Sequence, residues 1–238
     1  KISVSGNRVD EGAVAKWSMS PYDEYALESA LQLKESGGGD LVAITAGPAR
    51  CEKLLRDAAA VGADTLVHVS VDDIGALDST QVQAILAAAV SKTGANVVFC
   101  GKQAADTNSG STGPGVAEIL NAACVTLVSE VSSDGGGFIA TRPSAAGQEK
   151  VGVNSPCVFA FDKGLTEMRR PNVRGIMMAK KKPVDVWSAA DLGVDLGAST
   201  VTIEAHSPPA EKPPGQKFEG AASVPTVVSK LRDEANVI

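Results

Sequence analysis

The residues whose types could do chemistry are concentrated in one stretch, residues 101–113. It is rich in glycine and hydroxyl side chains, and it lies between two apolar segments, residues 96–100 and 116–120. Glycine lets a backbone approach a ligand closely, and the start of a helix offers unpaired N–H groups and a positive dipole end. The pattern therefore predicts a strand, a phosphate-binding loop and a helix, with a nucleotide as the ligand.

The polar side chains of this loop could hydrogen-bond a ribose or a phosphate while backbone N–H groups hold the charge; they are those of Asp106, Thr107, Ser109, Ser111 and Thr112. An ordinary flexible connection has the same composition, so the residues alone leave both interpretations open. Lys102 could meet a phosphate, but a solvated surface lysine is the more common case.

No catalytic constellation can be assembled from the sequence. His68 lies in an apolar segment and is expected at the edge of the core, and His206 lies in a proline-rich segment and is expected to be exposed. No Ser-His-Asp set, H-E-x-x-H motif or Walker loop is present. Cys100 follows the strand beside the loop, where burial is favoured over reactivity. We therefore expect no catalytic acid or base, and no enzyme activity.

Composition limits the class of protein. The chain has 238 residues, of which 44% are hydrophobic and only 4% aromatic, as in a compact α/β protein with an aliphatic core. The net charge of -6 argues against a general nucleic-acid binder. The four cysteines are scattered, so we expect buried, reduced thiols in an intracellular compartment, without a disulfide or a bound metal.

Helical and strand patterns alternate in the first half of the chain. Ser20 is a candidate helix cap, with Pro21 at the first helical position and Asp23 completing a pair that resembles a capping box. Further helices are expected from Cys51 and from a cap at Asp78 or Ser79, the latter helix ending at Gly94, with strands over residues 41–45, 65–71 and 96–100. This order predicts a mostly parallel, doubly wound sheet with helices on both faces. Its ligand should bind beyond the carboxyl ends of the strands.

The pattern changes after Leu120. Four segments are predicted as antiparallel additions to the same sheet: residues 126–131, 137–141, 149–153 and 157–161. From Pro183 the chain becomes rich in proline, including Pro208-Pro209 and Pro213-Pro214, before a short helix near residues 224–235. We therefore predict a nucleotide-binding α/β domain over residues 1–182. Residues 183–238 would form an extended arm and short helix that pack on a partner subunit.

Several separated motifs occur in a fixed order: Ser18-Met19-Ser20-Pro21-Tyr22-Asp23-Glu24, Gly47-Pro48-Ala49, Gly62-Ala63-Asp64, Gly101-Lys102-Gln103-Ala104, Met177-Met178-Ala179-Lys180-Lys181-Lys182-Pro183 and Asp191-Leu192-Gly193-Val194-Asp195. Through these motifs essentially the whole chain resembles the β subunit of electron transfer flavoprotein.

The resemblance implies a heterodimer with an α subunit that holds most of a shared FAD, while the β subunit holds a structural AMP. The matching AMP positions are Ser20, Pro21, Tyr22, Asp23, Ala46, Gly101, Lys102, Gln103, Ala104, Asp106, Thr107, Asn108, Ser109, Gly110, Ser111 and Thr112. The family carries electrons from acyl-CoA dehydrogenases to a membrane-bound quinone oxidoreductase. The resemblance thus implies fatty acid oxidation in the mitochondrial matrix, or alternatively a bacterial cytoplasmic carrier.

Residues 169–176 match the loop by which the family recognises dehydrogenases. Val173 stands where the family has an anchoring leucine, and Ile176 follows it. Arg169, Arg170 and Arg174 flank this position and could steer an acidic partner surface. The resemblance thus implies a docking segment.

Three departures from the family keep other functions open. The family has a strand before the position of Lys1 that this sequence lacks, so either the sequence is incomplete or the fold is altered. Around the loop, Ser20 replaces an asparagine and a run of acidic residues is reduced to Asp106. In the docking segment, Val173 replaces the anchoring leucine. One alternative is an accessory, nucleotide-stabilised subunit of a larger respiratory assembly. Another is an electron-bifurcating relative, in which a second FAD takes the place of AMP.

Overall fold

The structure is a computed structural model, and it describes residues 3–165, 167–212 and 214–238. The first residues of the predicted α/β domain and one member of the predicted proline pair at 213–214 lie outside this description. The chain divides into two compact units, one of residues 14–204 and one that joins the first 13 residues to residues 205–238.

The described strands are β1 (Val4–Ser5), β2 (Arg8–Val9), β3 (Val42–Gly47), β4 (Thr65–Ser70), β5 (Val97–Gly101), β6 (Ala123–Val128), β7 (Glu130–Ser133), β8 (Phe138–Ser144), β9 (Gly147–Val153), β10 (Cys157–Phe161) and β11 (Asp185–Trp187). The α-helices are α1 (Pro21–Gly37), α2 (Glu52–Val61), α3 (Ser79–Thr93), α4 (Thr112–Ile119), α5 (Val173–Lys181) and α6 (Val224–Asp233).

The larger unit confirms the predicted α/β class. Its parallel strands form two sheets, in the orders β11-β4-β3 and β5-β10-β6, and helices pack against them. The sheet edges β3 and β5 both line one cavity of about 520 Å³. The expected continuous sheet is thus divided, because no strand among the described residues pairs with both of these edges.

The prediction of antiparallel additions to the same sheet was wrong for β10. This strand lies between β5 and β6 and runs parallel to both. All five of its residues are buried, as expected for the central strand of a parallel sheet with both faces covered. Strands β7, β8 and β9 do pair antiparallel, but they form a sheet of their own.

The single strand predicted over residues 126–131 is divided between two sheets. Leu127 has a positive φ of 59°, a conformation that interrupts a regular strand. Leu127 lies inside β6, where the register with β10 shifts, and the chain leaves the parallel sheet after Val128 and enters the antiparallel sheet as β7.

The two predicted helix starts differ in outcome. Asp78 caps α3 as expected, accepting the N–H groups of Thr80 and Gln81 in a full capping box. Ser20 precedes α1 without capping it, and its hydroxyl donates instead to the Gln103 carbonyl oxygen at 3.4 Å. Asp23 likewise accepts the Gly101 N–H, at 2.7 Å. The capping pair predicted at Ser20 and Asp23 was wrong because both side chains have tertiary partners.

Part of the predicted arm belongs to the larger unit, because β11 pairs in parallel with β4. In the smaller unit, the His206 N–H donates to the Asn7 carbonyl at 2.8 Å, and the Val9 N–H donates to His206 Nδ1 at 3.2 Å. His206 is exposed, as predicted. None of the described helices is both long and apolar enough to cross a membrane.

Candidate functional site

A cavity of about 520 Å³ runs along β3 and β5, from Val42 and Val97 at the strand starts to Ala46 and Gly101 at the strand ends, where α1 and α4 begin. Seven of the residues predicted to bind a nucleotide line it: Ser20, Asp23, Ala46, Gly101, Gln103, Ala104 and Thr112. Other predicted residues are not among those that line it: Pro21, Tyr22, Lys102, Asp106, Thr107, Asn108, Ser109, Gly110 and Ser111. The fold therefore brings together one part of the predicted set, drawn from three separate chain segments.

The loop after β5 is tied to the start of α1. The hydrogen bond from Gly101 to Asp23 joins the strand end to the first turn of the helix, and Ser20 holds Gln103. Burial raises the pKa of Asp23, although the bond from Gly101 opposes this effect. A carboxyl group in this position can accept a hydrogen bond from a hydroxyl but would repel a phosphate.

Lys102 faces other partners. Its ammonium pairs with Asp162 at 2.8 Å and lies 4.9 Å from the centre of the Tyr22 ring. The hydrogen bond to Asp162 raises the pKa of Lys102. The charge of this lysine is thus already neutralised by a neighbouring carboxylate.

The middle of the loop is held by its own groups. The Asn108 N–H donates to the Ala104 carbonyl at 2.9 Å, and Gln103 Nε2 donates to Asn108 Oδ1 at 2.8 Å. Asn108 and Gly110 have positive φ angles of 53° and 66°, which only a few residue types adopt readily. These bonds define a turn between β5 and α4.

The N-terminus of α4 offers groups suited to an anion. The first N–H groups of a helix, here those of Thr112 and Gly113, have no carbonyl partner one turn earlier. Ser111 Oγ is buried, and it has no hydrogen-bond partner among the described residues. Gln83 Nε2 donates to the Ser111 carbonyl at 3.0 Å, which fixes the residue that carries this hydroxyl. A buried hydroxyl beside free N–H groups fits a phosphate oxygen.

Sequence reasoning missed the role of Gly113 in placing this helix. A Cβ atom there would lie 2.8 Å from Cys100 Sγ and 3.3 Å from Ala160 Cβ. Gly113 thus lets α4 pack closely on β5 and β10. A glycine at the start of a helix serves close packing and ligand approach equally well, so the sequence alone does not distinguish the two roles.

The thiols and His68 are poorly suited to catalysis. Burial raises the pKa of Cys100 to about 12 and that of Cys157 to about 11, so both stay protonated near neutral pH. Cys124 is exposed, contrary to the expectation of buried cysteines, because it lies on β6 at the edge of its sheet. His68 is buried and hydrogen-bonded to the Gly47 carbonyl at 2.8 Å. The described residues contain no cluster of side chains that could hold a metal ion.

The predicted docking segment is half irregular and half helical. The expectation of a loop was wrong for its second half, because Asn172 Oδ1 accepts the Gly175 N–H at 2.7 Å and so starts α5 at Val173. Val173 is 76% exposed and Ile176 is 42% exposed. Arg170 and Arg174 are exposed, whereas Arg169 is partly buried.

The comparison with known proteins identifies the family of this fold. The family model described as "Electron transfer flavoprotein domain" matches residues 12–192. The chain belongs to the electron transfer flavoprotein family.

Named relatives agree with this assignment. Electron transfer flavoprotein subunit beta of Bacillus subtilis is 35% identical over 245 residues, covering 100% of this chain and 94% of the relative. The human protein of that name is also 35% identical, covering 98% of this chain and 91% of its own length. The mitochondrial protein from Arabidopsis thaliana is 34% identical, covering 94% of this chain and 88% of the relative. The resemblance to β subunits is confirmed, and with it a role in electron transport as part of a flavoprotein.

Proposed function

We propose that this chain is the β subunit of a heterodimer with electron transfer flavoprotein α, and that it holds a structural AMP. The α subunit would hold most of a shared FAD, which supplies the redox chemistry when bound. The heterodimer would carry electrons from acyl-CoA dehydrogenases in fatty acid oxidation to a membrane-bound quinone oxidoreductase. Because the family's named members include mitochondrial and bacterial proteins, we propose the mitochondrial matrix, with the bacterial cytoplasm as the alternative.

The observation that carries the AMP proposal is the buried hydroxyl of Ser111, which has no hydrogen-bond partner among the residues that the structure describes. Ser111 precedes α4, whose first two residues, Thr112 and Gly113, line the cavity. We assign the phosphate to this end of the site, because the N–H groups of Thr112 and Gly113 attract an anion. Asp23 also lines the cavity and would repel a phosphate, so we assign it to a ribose hydroxyl. The remaining predicted loop residues would shape the turn that carries Ser111.

Nucleotide extraction tests this proposal. The heterodimer is denatured, and the released small molecules are identified by mass spectrometry. We expect one AMP and one FAD per heterodimer. Two FAD molecules without AMP would indicate the bifurcating relative, and the absence of any adenine nucleotide beyond FAD would refute the assignment of the α4 site.

A chain of this kind would act by positioning, without a catalytic residue of its own. The raised pKa of Cys100, about 12, keeps its thiol from acting as a nucleophile near the site. The Nε2 atom of His68 is already hydrogen-bonded to the Gly47 carbonyl oxygen. These engaged groups support a carrier subunit over an enzyme.

We further propose that the start of α5 docks acyl-CoA dehydrogenases, through the segment whose predicted residues are Arg169, Arg170, Val173, Arg174 and Ile176. Val173 and Ile176 supply exposed apolar surface on one short helix, with the side chains of Arg170 and Arg174 beside them in the sequence. An exposed apolar group among basic residues suits an acidic partner surface with an apolar pocket.

Val173→Asp tests the docking surface. We expect it to abolish electron transfer from a dehydrogenase and to leave the thermal unfolding and nucleotide content unchanged, because Val173 contacts mostly solvent. Val201→Asp is the matched control, since Val201 is 63% exposed and lies outside this segment. Equal electron-transfer rates in the two variants would refute docking and would favour an accessory subunit.

The arm of residues 183–238 is proposed to pack on the α subunit, chiefly through residues 205–238. Helix α6 supports this proposal, since Val224 and Leu231 are exposed large apolar residues on it. Removing residues 205–238 should lower the affinity for α more than it lowers the stability of the sheets. Co-purification of the shortened chain with α at the normal affinity would refute the proposal.

A further inference from the structure

Arg169 forms ion pairs with two carboxylates of α1, those of Glu28 and Glu35. Its Nε and its backbone N–H both donate to Glu28 Oε2 at 3.0 Å, and Nη2 donates to Glu28 Oε1 at 2.9 Å. Nη2 also donates to Glu35 Oε2 at 3.1 Å, and Nη1 donates to Glu35 Oε1. Forked bonds of this kind between guanidinium and carboxylate are stronger and more directional than single ones. We call this group of three residues the Arg169 clamp.

Glu28 is suited to a structural bond. Its side chain is only 5% exposed, and its Oε1 also accepts a hydrogen bond from Gln32 Nε2 at 3.0 Å. Burying a carboxylate to this degree costs folding free energy unless its oxygens accept hydrogen bonds or pair with a positive charge. Burial raises its pKa, but the bonds from Arg169 outweigh this effect and lower the pKa overall. Glu28 therefore depends on Arg169 to remain a carboxylate in this buried position.

The clamp has no positive charge to offer a partner. Two carboxylates face one guanidinium, so its net charge is negative, and an acidic surface would be repelled by it. Arg170 and Arg174 are exposed and lie outside the clamp. Among the arginines of residues 169–176, these two are therefore the ones that can steer an acidic partner.

The clamp also fixes one end of a short segment. Residues 169–173 run from the clamp to the first residue of α5, and Asn172 caps the helix at this end. At the other end of α5, Arg56 of α2 donates to the carbonyls of Ala179 and Lys182 at 2.8 and 3.0 Å. Residues 169–182 are therefore anchored at both ends, by Glu28 at Arg169 and by Arg56 at Ala179 and Lys182, and Val173 is exposed between these anchors.

We propose that Arg169 is a positioning residue, which holds residues 169–173 in the conformation that presents Val173 to the partner. This inference rests on the proposed docking role of α5 and assigns Arg169 a different part in it from attraction by charge. Preorganisation lowers the cost of ordering the segment on binding. Loosening the clamp should weaken docking even where the change adds positive charge.

Glu35→Gln separates the two roles because they predict opposite effects. This change removes one negative charge and frees part of the guanidinium, so a steering arginine would dock better. A positioning arginine would dock worse, with a rise in KM for the heterodimer of about tenfold, as for a lost hydrogen bond to a charged group. Glu35 is 58% exposed, so the variant should fold. Glu130→Gln, at an exposed glutamate outside the clamp, is the matched control.

The measurement is steady-state electron transfer from an acyl-CoA dehydrogenase to the complete heterodimer, at low and high salt. Arg169→Lys is assayed beside Glu35→Gln, because lysine keeps the charge and lacks the fork. We expect both variants to raise KM at both salt concentrations with kcat unchanged. We also expect the backbone amides of Arg169, Arg170 and Asn172 to exchange hydrogen faster in both variants; Pro171 between them has no amide hydrogen.

An unchanged or lower KM in Glu35→Gln would overturn the positioning role, as would full retention of docking in Arg169→Lys. Val173→Asp in the same assay reports on the docking function itself. If Val173→Asp docks normally, the proposed docking function fails. Hydrogen exchange then decides only whether the clamp orders the segment: faster exchange would support that ordering, and unchanged exchange would overturn it.

Discussion

Gly113 should be intolerant of any side chain, because α4 packs against the sheet at this point. A Cβ there would lie 2.8 Å from Cys100 Sγ, which is closer than nonbonded atoms approach, and 3.3 Å from Ala160 Cβ. Overpacking a buried site costs about 1–3 kcal/mol. Alanine gains up to about 1 kcal/mol over glycine in a helix. We therefore expect Gly113→Ala to lower the free energy of unfolding by about 1–2 kcal/mol.

Gly115→Ala is the matched control on the same helix. Its Cβ would also overlap a neighbour, but that neighbour is the end of the flexible Gln83 side chain, which can turn away. The change would lose the bond from Gln83 to the Ser111 carbonyl, worth about 0.5–1.5 kcal/mol. The helix propensity of alanine offsets about 1 kcal/mol of this loss, so the net effect should be close to zero.

The assay is thermal unfolding of the purified heterodimer, with its AMP content measured in parallel. Gly113→Ala should lower the midpoint by about 2–8 °C, at about 2–4 °C per kcal/mol. It should also release AMP, because α4 carries the proposed phosphate site. Adding Cys100→Ala removes the closest atom, so most of the loss from Gly113→Ala should disappear in that background. Equal midpoints for the Gly113 and Gly115 variants, or an unchanged loss in the Cys100→Ala background, would refute this account of the packing.

Two other perturbations follow from named contacts. Hydrogen bonds from Thr80, and then from Thr200, hold the pKa of Asp78 below its usual range. The unfolded chain therefore binds a proton at this site first, and stability should fall as the pH drops below about 3.9. In Asp78→Asn, stability should depend less steeply on pH in this acid range. Denaturation midpoints are measured against pH for both proteins, and equal slopes would contradict the prediction. Arg56→Ala should cost about 1.5–3 kcal/mol, because its guanidinium donates to Ala179 and its neighbours at the end of α5. Hydrogen exchange of α5 should then be faster, and exchange equal to that of Arg56→Lys would contradict this role.

Local signals in the sequence were reliable where their partners are also local. Pro21 marked the first residue of α1, and Asp78 was one of two adjacent candidates for the cap of α3, which the structure completes as a capping box with Gln81. Gly94 ended α3 in the left-handed conformation that glycine favours. Each of these signals depends on backbone groups within one turn, so the residue types alone contain the information.

Strand direction could not be obtained in the same way. The apolar segment of β10 follows antiparallel strands in the chain, and adjacency in sequence favoured an antiparallel partner. The structure inserts β10 between β5 and β6 because its residues are apolar on both faces and need cover on both. A continuous apolar run predicts that a strand is buried, but it does not predict which strands pair with it.

The sequence by itself determined the α/β class, the strand–loop–helix around residues 101–113 and, through ordered motifs, the family. The tertiary structure decided what individual polar and small residues do. Asp23 meets Gly101 across 78 residues of chain, and Arg169 meets Glu28 across 141. Side chains that could have capped a helix or steered a partner are instead bound to distant groups. The reason is physical: a buried polar group takes whichever partner the fold brings within hydrogen-bonding distance, and no local pattern records that partner.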